Sequence, residues 1–342
     1  MNHPNSSYII RTSIHDIDRD QWTMFVNTHP QGNFFHTPDY VDLYQDIKGY
    51  KSYVVSAYNS NLQMVGILVA IRQTVYNGLL GYLTSRAIVV GGPLIDAQHP
   101  DVAELLLKSY CKKIRHRAVY TQFRNQFDMS PFQQAFQQVS ARFEEHLNIL
   151  IDLTNSEETL WKEVYPQRRN KIRQALKQQV EVRELKTDQE REESWKILRA
   201  VYEREKLPLA KKTVFEKAFK ILVPKGMLKI YGAFYQQQLI GTRYLFAYKT
   251  QIFDWYAGSY QKFYSVRPND LLPWEIFLRC KDEGFTTFDF GGAGNPNIPY
   301  GVRDYKIRYG GTLVNFGRYE IAHNNAIFAL MQNAFRFWQK LR

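Results

Sequence analysis

The sequence predicts a mixed α/β protein of two similar halves, each a mostly antiparallel sheet flanked by helices. Three observations carry this reading. The chain has 342 residues, more than one hydrophobic core usually serves. A hairpin-like pattern occurs twice. Each copy is followed by an apolar helix carrying one of the two cysteines, and then by an apolar strand.

The first hairpin runs from Tyr53-Val-Val-Ser-Ala-Tyr through the polar turn Asn59-Ser-Asn-Leu-Gln to Val65-Gly66. The second runs from Ile230-Tyr-Gly-Ala-Phe-Tyr through Gln236-Gln-Gln to Ile240-Gly241. The helix near Val102 to Arg115 carries Cys111 and precedes Ala118-Val-Tyr-Thr-Gln-Phe. The helix near Leu271 to Asp282 carries Cys280 and precedes Phe285-Thr-Thr-Phe-Asp-Phe. Equivalent positions late on apolar helix faces assign both cysteines to core packing. The strand Leu147 to Leu153 closes the first half, which gives domains 1–153 and 154–342. Thr154, Asn155 or Ser156 then caps a helix to about Gln179, with Pro166 as a kink and a basic end of Arg168, Arg169, Lys171, Arg173 and Lys177. A terminal amphipathic helix is expected over Ala326 to Leu341, with Phe328, Met331, Phe335 and Trp338 on one face.

Composition narrows the function. The net charge of +12 points to an anionic partner: nucleic acid, nucleotide phosphates or the inner leaflet of a membrane. Two cysteines and the polar opening residues argue for a cytoplasmic protein without disulfides. The eight histidines show no metal-ligand spacing, so no metal is expected. Gly-x-Ser-x-Gly and Walker patterns are absent from the sequence.

The distinctive segment is Asp289-Phe-Gly-Gly, a Gly/Pro loop, then Gly301-Val-Arg-Asp-Tyr305-Lys306-Ile-Arg-Tyr309-Gly310-Gly311 and a strand Thr312 to Tyr319. A glycine loop at a strand end exposes backbone N–H groups and lets a ligand approach. A cation beside it suits acyl transfer, in which a carbonyl oxygen gains negative charge. Lys306 is the candidate donor, with Tyr305 beside it; Asp304 and Asp289 are the candidate bases. Asp289 is also suited to accept from loop N–H groups.

This segment resembles the C-terminal signature of the FemAB aminoacyltransferases. His29-Pro-Gln-Gly-Asn-Phe-Phe-His-Thr-Pro-Asp-Tyr and Gln167-Arg-Arg-Asn-Lys-Ile-Arg-Gln-Ala-Leu-Lys are similar to two further stretches of that family, in family order. The resemblance implies two tandem GNAT-like (acyl-CoA N-acyltransferase) domains. It implies transfer from aminoacyl-tRNA to an amine of a peptidoglycan precursor, with no bound cofactor and with Lys306 stabilising the oxyanion. The candidate substrate residues are Gly291, Gly292, Arg303, Arg308, Tyr44 and His36. The basic run Arg168, Arg169, Lys171 and Arg173, with Arg267, reads as a tRNA- or phosphate-binding surface or as a solvated helix face. Contact with the inner face of the membrane is a further expectation.

Two departures matter. Where the family carries a lysine for its nucleotide-linked precursor, this chain has Tyr44, and the nearest lysine is Lys48. Ordinary GNAT enzymes hold coenzyme A pyrophosphate with a glycine turn before a helix. Here the second half reads Gln261-Lys-Phe-Tyr-Ser-Val-Arg-Pro-Asn-Asp, without glycine, and Pro93 interrupts the first-half counterpart. An aminoacyl donor therefore fits better than acyl-CoA. An acyl-CoA enzyme acting on an amino sugar is the alternative, and a non-catalytic tRNA- or lipid-head-group-binding module is the third reading.

Overall fold

The structure, a computed structural model, describes residues 8–76 and 78–331, save the side chain of residue 79. Its chain forms two compact units: residues 1–145 with 316–342, and residues 146–315.

Unit 1 has a sheet of eight strands: β1 (Ile9–Arg11), β2 (Tyr50–Tyr58), β3 (Met64–Gln73), β4 (Arg86–Val90), β5 (Leu94–Ile95), β6 (Tyr120–Arg124), β7 (Arg142–Glu144) and β15 (Arg318–Ala322). Their order is β1-β2-β3-β4-β6-β15-β7, with β5 paired to β3. Its helices are α1 (Arg19–Thr28), α2 (Pro38–Tyr44), α3 (Gly78–Leu83), α4 (Val102–Ile114) and α5 (Gln133–Gln138). Unit 2 has β8 (Leu147–Asp152), β9 (Glu181–Glu184), β10 (Leu228–Tyr235), β11 (Gln238–Tyr248), β12 (Gln251–Ser259), β13 (Thr287–Gly292) and β14 (Thr312–Asn315), in the order β14-β8-β13-β12-β11-β10-β9. Its helices are α6 (Glu157–Glu163), α7 (Pro166–Lys177), α8 (Asp188–Arg204), α9 (Lys212–Leu222), α10 (Pro268–Asp282) and α11 (Gly301–Ile307).

The repeat is visible in the pairings. In each unit a hairpin (β2–β3, β10–β11) and a third strand (β4, β12) pair antiparallel, and a helix (α4, α10) leads to a fourth strand (β6, β13) parallel to the third. A parallel neighbour needs a crossover connection, which explains a long helix at that point of both halves. Each helix buries an apolar stripe, Leu106, Leu107 and Tyr110 in α4 and Leu272, Ile276 and Phe277 in α10. Cys280 is fully buried and Cys111 half-buried against these cores, and burial pushes each thiol up to about 12.

Three details differ from the sequence expectation. The division at 153/154 does not describe the units: β8 lies between β14 and β13 of unit 2, and β15 lies between β6 and β7 of unit 1. The expected strand 312–319 is two strands, because Gly317 turns the chain at φ 66° between β14 and β15. The expected helix 157–179 is also two: Ser156 caps α6, and Pro166 starts α7 at its first turn, where its missing N–H costs nothing. Residues 325–331 are helical, and Phe328 packs its ring 4.9 Å from that of Tyr120. Phe335 and Trp338, assigned to the same face, lie outside the described residues. No described helix is long and apolar enough to cross a membrane.

Candidate functional site

Unit 2 brings a buried lysine and two buried carboxylates together where β12 and β13 part. The two strands pair over only Gln251–Phe253 and Thr287–Asp289. Beyond that point the carbonyls of β13 have no β12 partner, and a buried carbonyl must find a donor elsewhere. Lys306, reaching from α11, supplies it: Nζ donates to the carbonyl oxygens of Phe290 at 2.6 Å and Gly292 at 2.9 Å. An ammonium has three N–H donors, so one remains after these two bonds.

Two carboxylates accompany this cation. Asp289 is buried; its Oδ1 accepts from the Gly291 N–H at 2.6 Å and its two oxygens accept from Asn148 Nδ2 at 3.3 and 3.2 Å. Burial pushes its pKa up to about 6, against the lowering by the Gly291 N–H, Asn148 and Lys306. Asp254 on β12 pairs with Arg243 of β11 at 2.6 Å, and burial raises its pKa despite Arg243 and Lys306. Its Oδ1 is buried with no hydrogen-bond partner. Burial lowers the Lys306 pKa, opposed by Asp254 and Asp289. Glycine suits position 291 through its φ of 70°, a backbone conformation that L side chains rarely adopt.

The other face of α11 borders a groove of about 470 Å³, lined among others by Lys171, Arg267, Asp304, Tyr305 and Arg308. Burial, then Arg168, Arg267 and Arg308, lowers the pKa of the Lys171 amine, so these cations are close enough to feel one another. At the groove floor, Arg168 lies 4.6 Å from the ring centroids of both Tyr305 and Tyr309 and is paired with Asp270. The hydroxyls of Tyr305 and Tyr309 donate to the Asn269 carbonyl at 2.6 and 2.8 Å.

Several sequence assignments change. Arg168 is only 4% exposed and ion-paired, so it is a structural post between α7, α10 and α11 rather than a surface phosphate contact. Arg303 donates to the carbonyls of Asn295 and Ile298 at 2.8 Å each, which pins the glycine loop and occupies it away from substrate. Tyr44 is buried in unit 1, its ring 5.4 Å from Tyr40 and 5.1 Å from Tyr50. His36 is fully buried: Nδ1 accepts from the Asn33 N–H at 3.3 Å and Nε2 donates to the Gly92 carbonyl at 3.2 Å. Both side chains are buried. Arg169 is half-buried, and Arg173 is exposed and lies 5.4 Å from the Trp161 ring; the groove lining does not include them. Sequence reasoning missed Asn148, Arg243 and Asp254, which sheet order brings to the motif from β8, β11 and β12, and Asp270, which helix α10 supplies.

Residues 166–306 match the acetyltransferase (GNAT) domain family. No curated protein matches by sequence. Among solved structures, FemX is similar with a TM-score of 0.72 at 14% identity, covering 92% of this chain and 98% of that one. L-PGS from Bacillus licheniformis aligns with a TM-score of 0.58 at 14% identity, covering 90% and 92%. A tandem GNAT protein from the clavulanic acid biosynthesis pathway aligns with 0.57 at 13% identity, covering 93% and 99%. The chain has the tandem GNAT fold, and its residues 166–306 carry the match to the acetyltransferase family.

Proposed function

We propose that unit 2 transfers an aminoacyl group from a tRNA to the amine of a peptidoglycan precursor. The observation that carries this reading is the Lys306 ammonium, held at the parting of β12 and β13 with one donor unspent and two buried carboxylates beside it. A fixed donor in a dry site stabilises the oxyanion of the tetrahedral intermediate without reorganising. Asp254 or Asp289 then takes the proton that the attacking amine must lose.

The groove favours a nucleic-acid donor over coenzyme A. Helix α10 begins with Pro268, which has no N–H, and the N–H groups of Asp270 and Leu271 already bond to the Arg267 carbonyl. Anion binding there falls to side chains, Lys171, Arg267 and Arg308, which suits successive phosphates of an RNA end. The match to an acetyltransferase domain keeps acyl-CoA as the competing donor.

The test is label transfer from charged tRNA to a lysine- or diaminopimelate-bearing precursor by the purified chain. Transfer is expected, and Lys306→Met lowers turnover by roughly 10²–10³ while thermal unfolding reports the loss of the two carbonyl bonds separately. No transfer from any charged tRNA, together with calorimetric binding of coenzyme A, would replace this reading by the acyl-CoA one.

A further inference from the structure

One end of the unit 1 sheet combines projecting apolar side chains with several cations. Val75, Tyr76 and Leu80, in the connection from β3 to β4, are 74%, 58% and 62% exposed. Large apolar side chains on an ordinary surface are scattered singly, and a cluster of them marks a contact site. Strand register sets Lys51 beside Arg72, and Gln73 beside Arg86, at the base of this segment. The Thr74 N–H bonds to the Gly49 carbonyl at 2.8 Å and fixes where the segment leaves the sheet. Strand β6 enters at the same end, because Arg86 pairs in parallel with Tyr120 and the Val119 N–H bonds to the Ser85 carbonyl. The chain entering β6 therefore brings the exposed Arg115 and Arg117 there. Burial, then Arg117 and Lys51, lowers the pKa of the Lys113 amine at the end of α4, which shows how close these cations stand; the acid facing Lys113 is Asp16.

We propose that this end of unit 1 docks on an anionic lipid bilayer, with Val75, Tyr76 and Leu80 entering the headgroup region and Lys51, Arg115 and Arg117 facing lipid phosphates. Aliphatic side chains exposed to this degree gain free energy from acyl chains and none from a phosphodiester backbone, which favours lipid over RNA. The cations at the same end of the sheet match a negatively charged leaflet, and a tyrosine near aliphatic residues in the chain suits the boundary between water and hydrocarbon. The site is separate from the transfer chemistry of unit 2 and does not rest on it.

Flotation of the full chain with vesicles tests the proposal. The protein is expected to float with phosphatidylcholine–phosphatidylglycerol vesicles, to stay behind with pure phosphatidylcholine, and to be released by salt. Val75→Ser combined with Leu80→Ser lowers partitioning roughly tenfold. Lys51→Gln and Arg117→Gln each lower it about fivefold. These side chains are exposed, so circular dichroism and the unfolding midpoint stay at parental values. No flotation with the mixed vesicles overturns the proposal, as does flotation that the Val75/Leu80 variant leaves unchanged. Retention of single-stranded RNA by the same cations, without vesicle binding, assigns the surface to nucleic acid instead.

Discussion

Asp289 shows how one buried carboxylate ties stability to pH. Its pKa in the folded protein is about 6, above the ordinary 3.8. Between about pH 4 and about pH 6 the native state keeps the proton and the unfolded state has lost it, so the contribution of this group to stability falls as pH rises through that window. Asp289→Asn is expected to remove this component, and the urea midpoint measured from pH 4 to pH 6 would show a flatter dependence. A slope equal to the parent's would assign the proton elsewhere. His323 in unit 1 has the opposite sign. Burial lowers its pKa to about 4 from 6.5, so its contribution is present above about pH 6.5 and is lost as pH falls toward 4. Part of this was legible in the sequence. Asp289 stands next to Phe-Gly-Gly, and a carboxylate there is suited to accept from a loop N–H, as it does from Gly291. Its burial was not legible, since that depends on Asn148, more than a hundred residues earlier in the chain, lying on the neighbouring strand β8.

At the scale of elements, helices α7, α10 and α11 build the groove and divide its cations into two kinds. Arg168 and Lys171 are three residues apart on α7 and share a face. The first is walled in by Tyr305, Tyr309 and Asp270, and the second remains at the groove lining with Arg267 and Arg308. Replacing Lys171, Arg267 and Arg308 together by Gln is expected to raise the KM for a tRNA donor while leaving kcat near the parental value. The dependence of log affinity on log salt should flatten by about 0.7 for each phosphate that is no longer neutralised. Unchanged salt dependence would remove the groove from donor binding. The basic run on α7 was plain in the sequence. Which of its members would be enclosed was not, because a charge pattern gives the face of a helix but not what packs on it. The hairpins and the cysteine-bearing helices were readable for the opposite reason: their periodicity and turn residues are local signals. Even there the two-residue β10–β11 turn has Gln236 and Gln237 at positive φ, where Asn-Gly is the usual choice.

For the whole molecule, the controlling feature is that β8 and β15 each complete a sheet other than the one their place in the sequence suggests. A strand's hydrophobic alternation says that it will be half-buried and leaves open which sheet receives it, so the 153/154 boundary was a reasonable reading of an incomplete signal. Tyr319 on β15 stacks on Phe136 with ring centroids 3.9 Å apart and belongs to the core of unit 1. Tyr319→Ala is expected to destabilise unit 1 by roughly 3 kcal/mol or more. Hydrogen exchange should then rise across residues 1–145 and not across 146–315. A uniform rise would mean that the two units unfold as one. The same threading bears on synthesis. A nascent chain leaves the ribosome with its first 145 residues lacking the ribbon that belongs between β6 and β7, and that ribbon is translated only after the entire second unit. The later-made unit has all its strands earlier, and the earlier-made one must wait with an open edge that invites mispairing. Unit 1 therefore cannot complete its sheet until the last strand of unit 2 has been made.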